Sequence, residues 1–370
     1  MKKCFYVFIA MLLLSLTLIF FSCSPSEDPD TGETRVPERV YRMQMATFWP
    51  STDFQVAEGH MKWIEEIENR TNGRVRISMH AGEALLGARE IYEGVSTGVA
   101  DIGTTCPAYT PGMFPLTAAF ELPGFNNDNA LVASMTIQEG YKRIKDELGI
   151  DEFDDVKVLF FWATGPGDIL TKEPVHNLEE LSGKTIRAVG GTVPAIESLG
   201  ATPVGMPMSE AYLALDQGIV EGIVAPTDVL EGFRLAEVVG YVTETPFLYN
   251  IVFMKVMNVD TWNSLPADIQ EIFEEVSEEF AFNYGRLRED YRLEGLNYGI
   301  ENHGLEVITL SEEEDLRWRD RVSPQVEAWV EKAQETGQPR REVLEIAREL
   351  DEKFSSEYGN YPDIDFPNSK

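Results

Sequence analysis

The chain has 370 residues and a formal net charge of −32, from 31 Lys and Arg against 63 Asp and Glu. Such a surface repels nucleic acid and anionic lipid, which excludes both as general partners and requires any anion site to be local. Three cysteines, Cys4, Cys23 and Cys106, are too few for a disulfide framework or a cysteine-built metal site.

The basic pair Lys2 and Lys3, an apolar run from Cys4 to Ile19 and the small Ser22 read as a signal peptide over 1–22. The run is shorter than the roughly 20 residues of a spanning helix. Ser22-Cys23 resembles the lipobox of bacterial lipoproteins, which would leave Cys23 as a lipidated N-terminus. Phe20 stands where that motif prefers leucine, so a plain cut nearby or an uncleaved anchor are the alternatives. Residues 23–38, rich in Pro, Ser and acid, read as a flexible tether. The expected address is outside the cytoplasm, with the membrane touched only through the N-terminal lipid.

About 330 residues follow the tether, room for two domains. "RVYRMQMATFWP" alternates as a strand to Pro50, residues 53–70 carry Val56, Met61, Ile64 and Ile67 at helical spacing, and "TNGRVRISM" adds a turn and strand. Strand, helix, strand recurs to about residue 250, which predicts parallel sheets with helices on both faces. "EIYEGVSTGVADIG" (90–103) and "EAYLALDQGIVEGI" (210–223) align without gaps, matching Glu90 to Glu210, Tyr92 to Tyr212, Gly98 to Gly218 and Asp101 to Glu221. Each reads as a helix stopped by glycine and leading into a strand, so two lobes are built alike. Residues 266–298 form one long helical pattern opened by Pro266, with amphipathic helices over 312–332 and 339–354 and a loose tail.

Signals for catalysis are weak. His60, His80, His176 and His303 show no paired spacing, no HExxH or CxxC occurs, and "GPGDIL" has Leu170 where a dinucleotide loop needs its third glycine. No cofactor and no enzyme activity are expected. Two similar α/β lobes instead leave a cleft lined by strand ends. Those ends are Phe48 and Trp49, then 104–109 with Thr105 and Tyr109, and 162–168 with Trp162. The rest are 187–191 with Arg187 and Gly190, 224–228 with Asp228, and 247–250 with Phe247 and Asn250. This set holds many rings and a single arginine. Arg187 in "GKTIRAVGG" is either a strand arginine paired with a nearby acid or a clamp on a ligand carboxylate. The glycines after it permit close backbone approach, and a helix from Val193 would aim its amides nearby.

"LEELSGKTIRAVGG…LGATPVGMPMSEAYLALDQGIVEG" (178–222) strongly resembles the solute-binding proteins of TRAP transporters, the tripartite ATP-independent periplasmic importers of organic acids. "VFMKVMNVDTWNSLP" (252–266) and "GEALLGAREIYEGVSTGVADIG" (82–103) extend the resemblance over about residues 40–335. It implies the periplasmic solute-binding fold, two α/β lobes with a ligand cleft between them and a long bracing helix. The implied division is 39–157 plus about 248–285 for one lobe and 158–247 plus about 286–335 for the other, with 336–370 a C-terminal helix and tail. It also implies that Arg187 pairs with a ligand carboxylate, that the lobes close by a hinge, and that TRAP permease subunits receive the ligand. Two departures narrow the ligand. Gly165 to Asp168 lack the further arginine of many members, and Val224, Ala225 and Pro226 stand where many carry asparagine. The expected ligand is therefore a monocarboxylate with an apolar or aromatic body. The alternatives are the binding component of an ATP-driven importer, a ligand-sensing lipoprotein and an exported α/β enzyme.

Overall fold

The computed structural model describes residues 39–124 and 129–362. The expected signal peptide, Cys23 and tether, and the last eight residues of the tail, lie outside them. Among the described residues no helix is long and apolar enough to cross a membrane.

Eleven strands form two sheets. In chain order they are β1 (Tyr41–Thr47), β2 (Val75–His80), β3 (Ile102–Thr105), β4 (Val156–Ala163), β5 (Asp168–Thr171), β6 (Thr185–Arg187), β7 (Thr202–Val204), β8 (Gly222–Ala225), β9 (Tyr241–Thr243), β10 (Val252–Asn258) and β11 (Glu306–Ile308). One sheet has the order β2-β1-β3-β10-β4, the other β11-β9-β5-β8-β6-β7. The expectation of parallel sheets needs correcting, because each sheet contains one strand that runs against its neighbours. β10 is antiparallel to β3 and β4, and β5 is antiparallel to β8 and β9. These two strands follow short segments that cross from the other sheet, 164–167 and 244–251, with no helix to reverse the chain. The crossing segments hydrogen-bond to each other, Thr164 N to Ile251 O at 2.9 Å and Ile251 N to Thr164 Oγ1 at 3.0 Å.

The internal similarity is structural. Helices Ile91–Ser96 and Met208–Asp216 lead into β3 and β8 through glycines of positive φ, Gly98 at 78° and Gly218 at 71°. The aligned acids do the same work in each lobe. Asp101 Oδ2 accepts from Gln44 N at 2.7 Å beside β1, and Glu221 Oε2 accepts from Thr185 N at 2.9 Å beside β6. An N–H left unmade at a strand edge is costly, so the same short signal fixes the same strand pairing twice.

Residues 55–60 form a π-helical turn that runs into helix Met61–Arg70, whose Trp63, Ile64 and Ile67 are buried. The long helix spans Ala267–His303, 37 residues and about 55 Å. Two glycines bring it against both lobes. A Cβ at Gly285 would stand 3.0 Å from Leu131 Cα, and one at Gly295 would collide with the Thr227 carbonyl. The C-terminal helices are Glu312–Val322, Pro324–Glu331 and Arg340–Tyr358. The tail beyond them starts packed rather than loose: Tyr361 is buried, and its hydroxyl donates to Asp290 Oδ1 at 2.6 Å.

One polar group lies deep in the first sheet. Lys255 on β10 is fully buried, with Nζ 3.4 Å from the Tyr284 hydroxyl and 3.9 Å from the centre of the Trp63 ring. The same hydroxyl lies 2.5 Å from Nδ1 of the buried His60. Among the described residues no carboxylate reaches ion-pair distance of Lys255, and burial pulls its pKa well below the ordinary lysine value. The unfolded chain takes up a proton on this amine below its ordinary value of 10.5, and the folded chain resists doing so. Stability is therefore lost as pH falls from that value toward the depressed one. Lys255→Met should raise stability at pH 7, with the gain shrinking by pH 10, as read from urea unfolding. A Met variant destabilised equally at both pH values would contradict this.

Candidate functional site

A narrow cleft lies between the lobes, walled on one side by the crossing segments through Thr164, Tyr249 and Ile251. The first lobe contributes Phe48, Trp49, Asp53, Phe54, Cys106 and Tyr109. The second contributes Arg187, Val189, Met208, Pro226, Asp228 and Phe233, and the long helix adds Arg288.

Arg187 ends β6 with 1% of its surface exposed. Its Nε donates to Met206 O at 2.9 Å and its Nη1 reaches toward Val224 O at 3.5 Å. Among the described residues no carboxylate lies within ion-pair distance of it, so two carbonyl dipoles orient the fork and nothing neutralises it. A second arginine also lines the cavity, which corrects the reading of Arg187 as its single cation. Arg288 is 3% exposed, but it is paired, with Nη2 at 2.5 Å from Asp228 Oδ2. Its Nε has no hydrogen-bond partner among the described residues. Beside this pair, Asp53 is pushed up to about 7 by burial, with Asp228 adding to the rise. The Gln55 N–H, 2.8 Å from Asp53 Oδ1, and Arg288 hold it back. Burial also pushes the Asp228 carboxyl up, against the pull of Arg288 and Arg292.

Arg187 acts electrostatically on Cys106 and Tyr109, Asp53 responds to Asp228 and Arg288, and Tyr249 feels both arginines. Rings fill the wall. Phe48 stacks on Trp49 with centroids 4.0 Å apart, Tyr109 meets Phe48 edge-on at 5.3 Å, and Phe253 lies 4.9 Å from Trp49. The lobes touch across this wall. The Tyr109 hydroxyl accepts from Met208 N at 2.9 Å, Ser209 Oγ donates to Glu83 Oε1 at 2.9 Å, and Arg89 reaches Glu210 Oε1 at 3.5 Å.

Of the ten residues expected in the cleft, Phe48, Trp49, Tyr109, Arg187 and Asp228 line this cavity together. The other five do not. Thr105 is buried with its hydroxyl donating to Ala88 O, and Trp162 lies behind Trp49 at 6.2 Å. Phe247 packs under Arg319, whose guanidinium sits 4.2 Å from the ring centre. Asn250 joins the crossing segments, donating to Phe120 O at 3.0 Å and accepting from the Thr164 hydroxyl at 3.3 Å. Gly190, with φ of 57°, faces a second cavity, and a Cβ there would strike the Glu121 carboxylate. The glycine pair therefore makes room for Glu121. The helix that follows, Thr192–Ser198, opens on that second cavity too, so the expected amides are not aimed at Arg187. Sequence reading missed Arg288, Asp53 and Phe253. The only signal for Arg288 was an arginine set in the buried stretch Tyr284–Gly285–Arg288–Glu289 of the long helix. Among the described residues no group of three or more His, Cys, Asp or Glu could hold a metal ion.

The family model for bacterial extracellular solute-binding protein, family 7, matches residues 45–333. A TRAP periplasmic solute binding protein from Desulfovibrio salexigens, solved as an open complex, is 34% identical with a TM-score of 0.73, covering 87% of this chain and 98% of that one. A TRAP solute binding protein from Rhodoferax ferrireducens, solved with copurified benzoate, is 26% identical with a TM-score of 0.80, covering 86% and 99%. The C4-dicarboxylate-binding periplasmic protein of Rhodobacter capsulatus is 24% identical over 74% of this chain and 81% of its own length. Alignments with the curated relatives span 64% to 81% of the relative's own length.

Asp53 offers a test of the cavity's electrostatics. Its folded pKa is raised, so folding binds a proton between the unfolded value of 3.8 and about 7, and stability falls as pH rises through that window. Asp53→Asn should match the wild type in urea unfolding at pH 4 and exceed it at pH 8. Equal or lower stability at pH 8 would show that Asp53 is ionised there at no cost.

Proposed function

The chain belongs to bacterial extracellular solute-binding protein family 7, the solute-binding proteins of TRAP transporters, and from that premise we propose that its ligand is a monocarboxylic acid with an apolar or aromatic body. The family is one of organic-acid receptors, and it is not an enzyme family. The observation that carries the finer reading is the state of the two cavity arginines. Arg288 already has its carboxylate in Asp228, and Arg187 has none. One buried guanidinium without a counter-ion calls for one anionic group, held by two parallel hydrogen bonds. A second ligand carboxylate at Arg288 would meet the Asp228 carboxylate already paired there.

The ligand body would lie against Phe48, Trp49 and Tyr109, whose offset and edge-on packing presents ring faces to an apolar or planar group. The Rhodoferax protein with its benzoate fits this reading, and the Rhodobacter protein named for C4-dicarboxylates shows that the family spans other acids. The unpartnered Arg288 Nε and the half-protonated Asp53 could meet a single hydroxyl or keto oxygen. Capture would proceed by lobe closure, followed by delivery to a TRAP membrane permease. The basic start and Ser22-Cys23 support export with a lipid on Cys23.

A thermal-shift screen with benzoate, phenylacetate, 4-methyl-2-oxopentanoate, succinate and galactonate should show stabilisation by one or more of the first three. Stabilisation by succinate or galactonate alone would overturn the monocarboxylate reading. For the stabilising acid, Arg187→Ala should weaken binding at least tenfold in calorimetry, about 1.4 kcal/mol, with the melting temperature of the free protein little changed. Unaltered affinity would remove Arg187 from the site.

A further inference from the structure

Three arginines among the described residues are buried: Arg187, Arg288 and Arg340. Arg288 has its acid, and Arg187 faces the first cavity. Arg340, 6% exposed at the start of the last helix, is also without a carboxylate at ion-pair distance. Its Nη1 donates to Trp329 O at 3.1 Å, and its Nε and Nη2 share Gln338 Oε1 at 3.3 and 3.1 Å. All three contacts are to neutral oxygens. Glu152 and Glu335 act on it only from beyond ion-pair distance. Glu152 is already engaged by Leu116 N at 2.8 Å and by Thr117 N and Oγ1 at 2.7 and 2.8 Å.

Arg340 borders a second cavity of about 1380 Å³ that shares no lining residue with the first. Tyr109 and Val189 face the first cavity, while their neighbours Ala108 and Gly190 face the second, so the two lie back to back. Phe114, Leu122, Val193, Pro194 and Trp329 make its walls apolar. Its charged lining is Lys332, Arg340 and Glu121. Glu121 accepts from Val252 N at 3.0 Å, and burial pushes its carboxyl up to about 8, which leaves it mostly uncharged at pH 7. The pocket thus carries two cations, Lys332 and Arg340, on a chain of net charge −32.

We propose that this second cavity binds an amphipathic monoanion, a carboxylate or sulfonate on an apolar or aromatic body, with the acid group on Arg340 and the body against Trp329 and Phe114. Charge complementarity selects the anion, because an uncompensated guanidinium gains most from a charged partner. Apolar walls select the body. Residues of both lobes touch such a ligand, Ala108 from one and Gly190 from the other.

The probe is naphthalene-2-sulfonate, titrated by calorimetry into the full mature protein and into Arg187→Met, which disables the first cavity. Binding to Arg187→Met is expected, with at least a tenfold loss on adding Arg340→Met. Val193→Trp adds bulk to the cavity lining and leaves Arg340 in place, and the same loss is expected in that variant if Arg340→Met does not fold. Absence of binding to Arg187→Met would overturn the proposal. So would binding that survives both Arg340→Met and Val193→Trp. Neither outcome bears on Arg187, whose role is read from carboxylate binding to the first cavity.

Discussion

A guanidinium closed inside the protein without its own counter-ion is the constraint on which the rest of the site depends. Moving an ionised group out of water costs several kcal/mol unless an opposite charge accompanies it. Arg187 cannot lose its proton to escape that cost. Two backbone carbonyls, Met206 O and Val224 O, aim it and partly solvate it. The missing anion has to come from outside. On the proposed reading a carboxylate ligand becomes part of the protein interior, and its arrival and the closing of the lobes favour each other. Arg288 shows the contrasting arrangement, a buried arginine whose charge the fold itself satisfies through Asp228.

The scaffold around Arg187 joins the lobes through few chain segments. The lobes are joined by two short crossing segments tied together at Thr164 and Ile251, and by one helix that meets each lobe at a glycine. Across the cavity wall they touch through few groups. The Arg89–Glu210 pair is about half exposed on both sides and contributes little on its own. The ring wall is rigid by comparison. Behind Trp49 stand His60 and Trp162, backed in turn by Tyr284. The surface presented to the ligand body is therefore held by a packed aromatic core.

Local signals were legible in the sequence and distant partnerships were not. The repeat could be read because Gly98 and Gly218 need positive φ, and because Asp101 and Glu221 each cap a neighbouring strand a fixed step later. The long helix could be read from its period and Pro266. The mixed sense of the sheets could not, since it depends on where the chain crosses between lobes. Strand alternation alone does not say which face meets the cleft, so Trp162 and Thr105 were placed at the right strand ends on the wrong side. Gly190 shows a correct physical inference with the wrong object. Close approach is required there, but to Glu121. Arg288 was hidden because its acid lies 60 residues away, and a helical wheel reports apolar faces, not buried ion pairs.

The most direct test of the account is a crystal structure of the closed protein with its stabilising carboxylic acid bound. The account predicts both carboxylate oxygens within hydrogen-bond distance of the Arg187 guanidinium, the ligand body on Phe48, Trp49 and Tyr109, and the Arg288–Asp228 pair intact. A carboxylate seated on Arg288, with Asp228 displaced and Arg187 still held only by Met206 O and Val224 O, would contradict it.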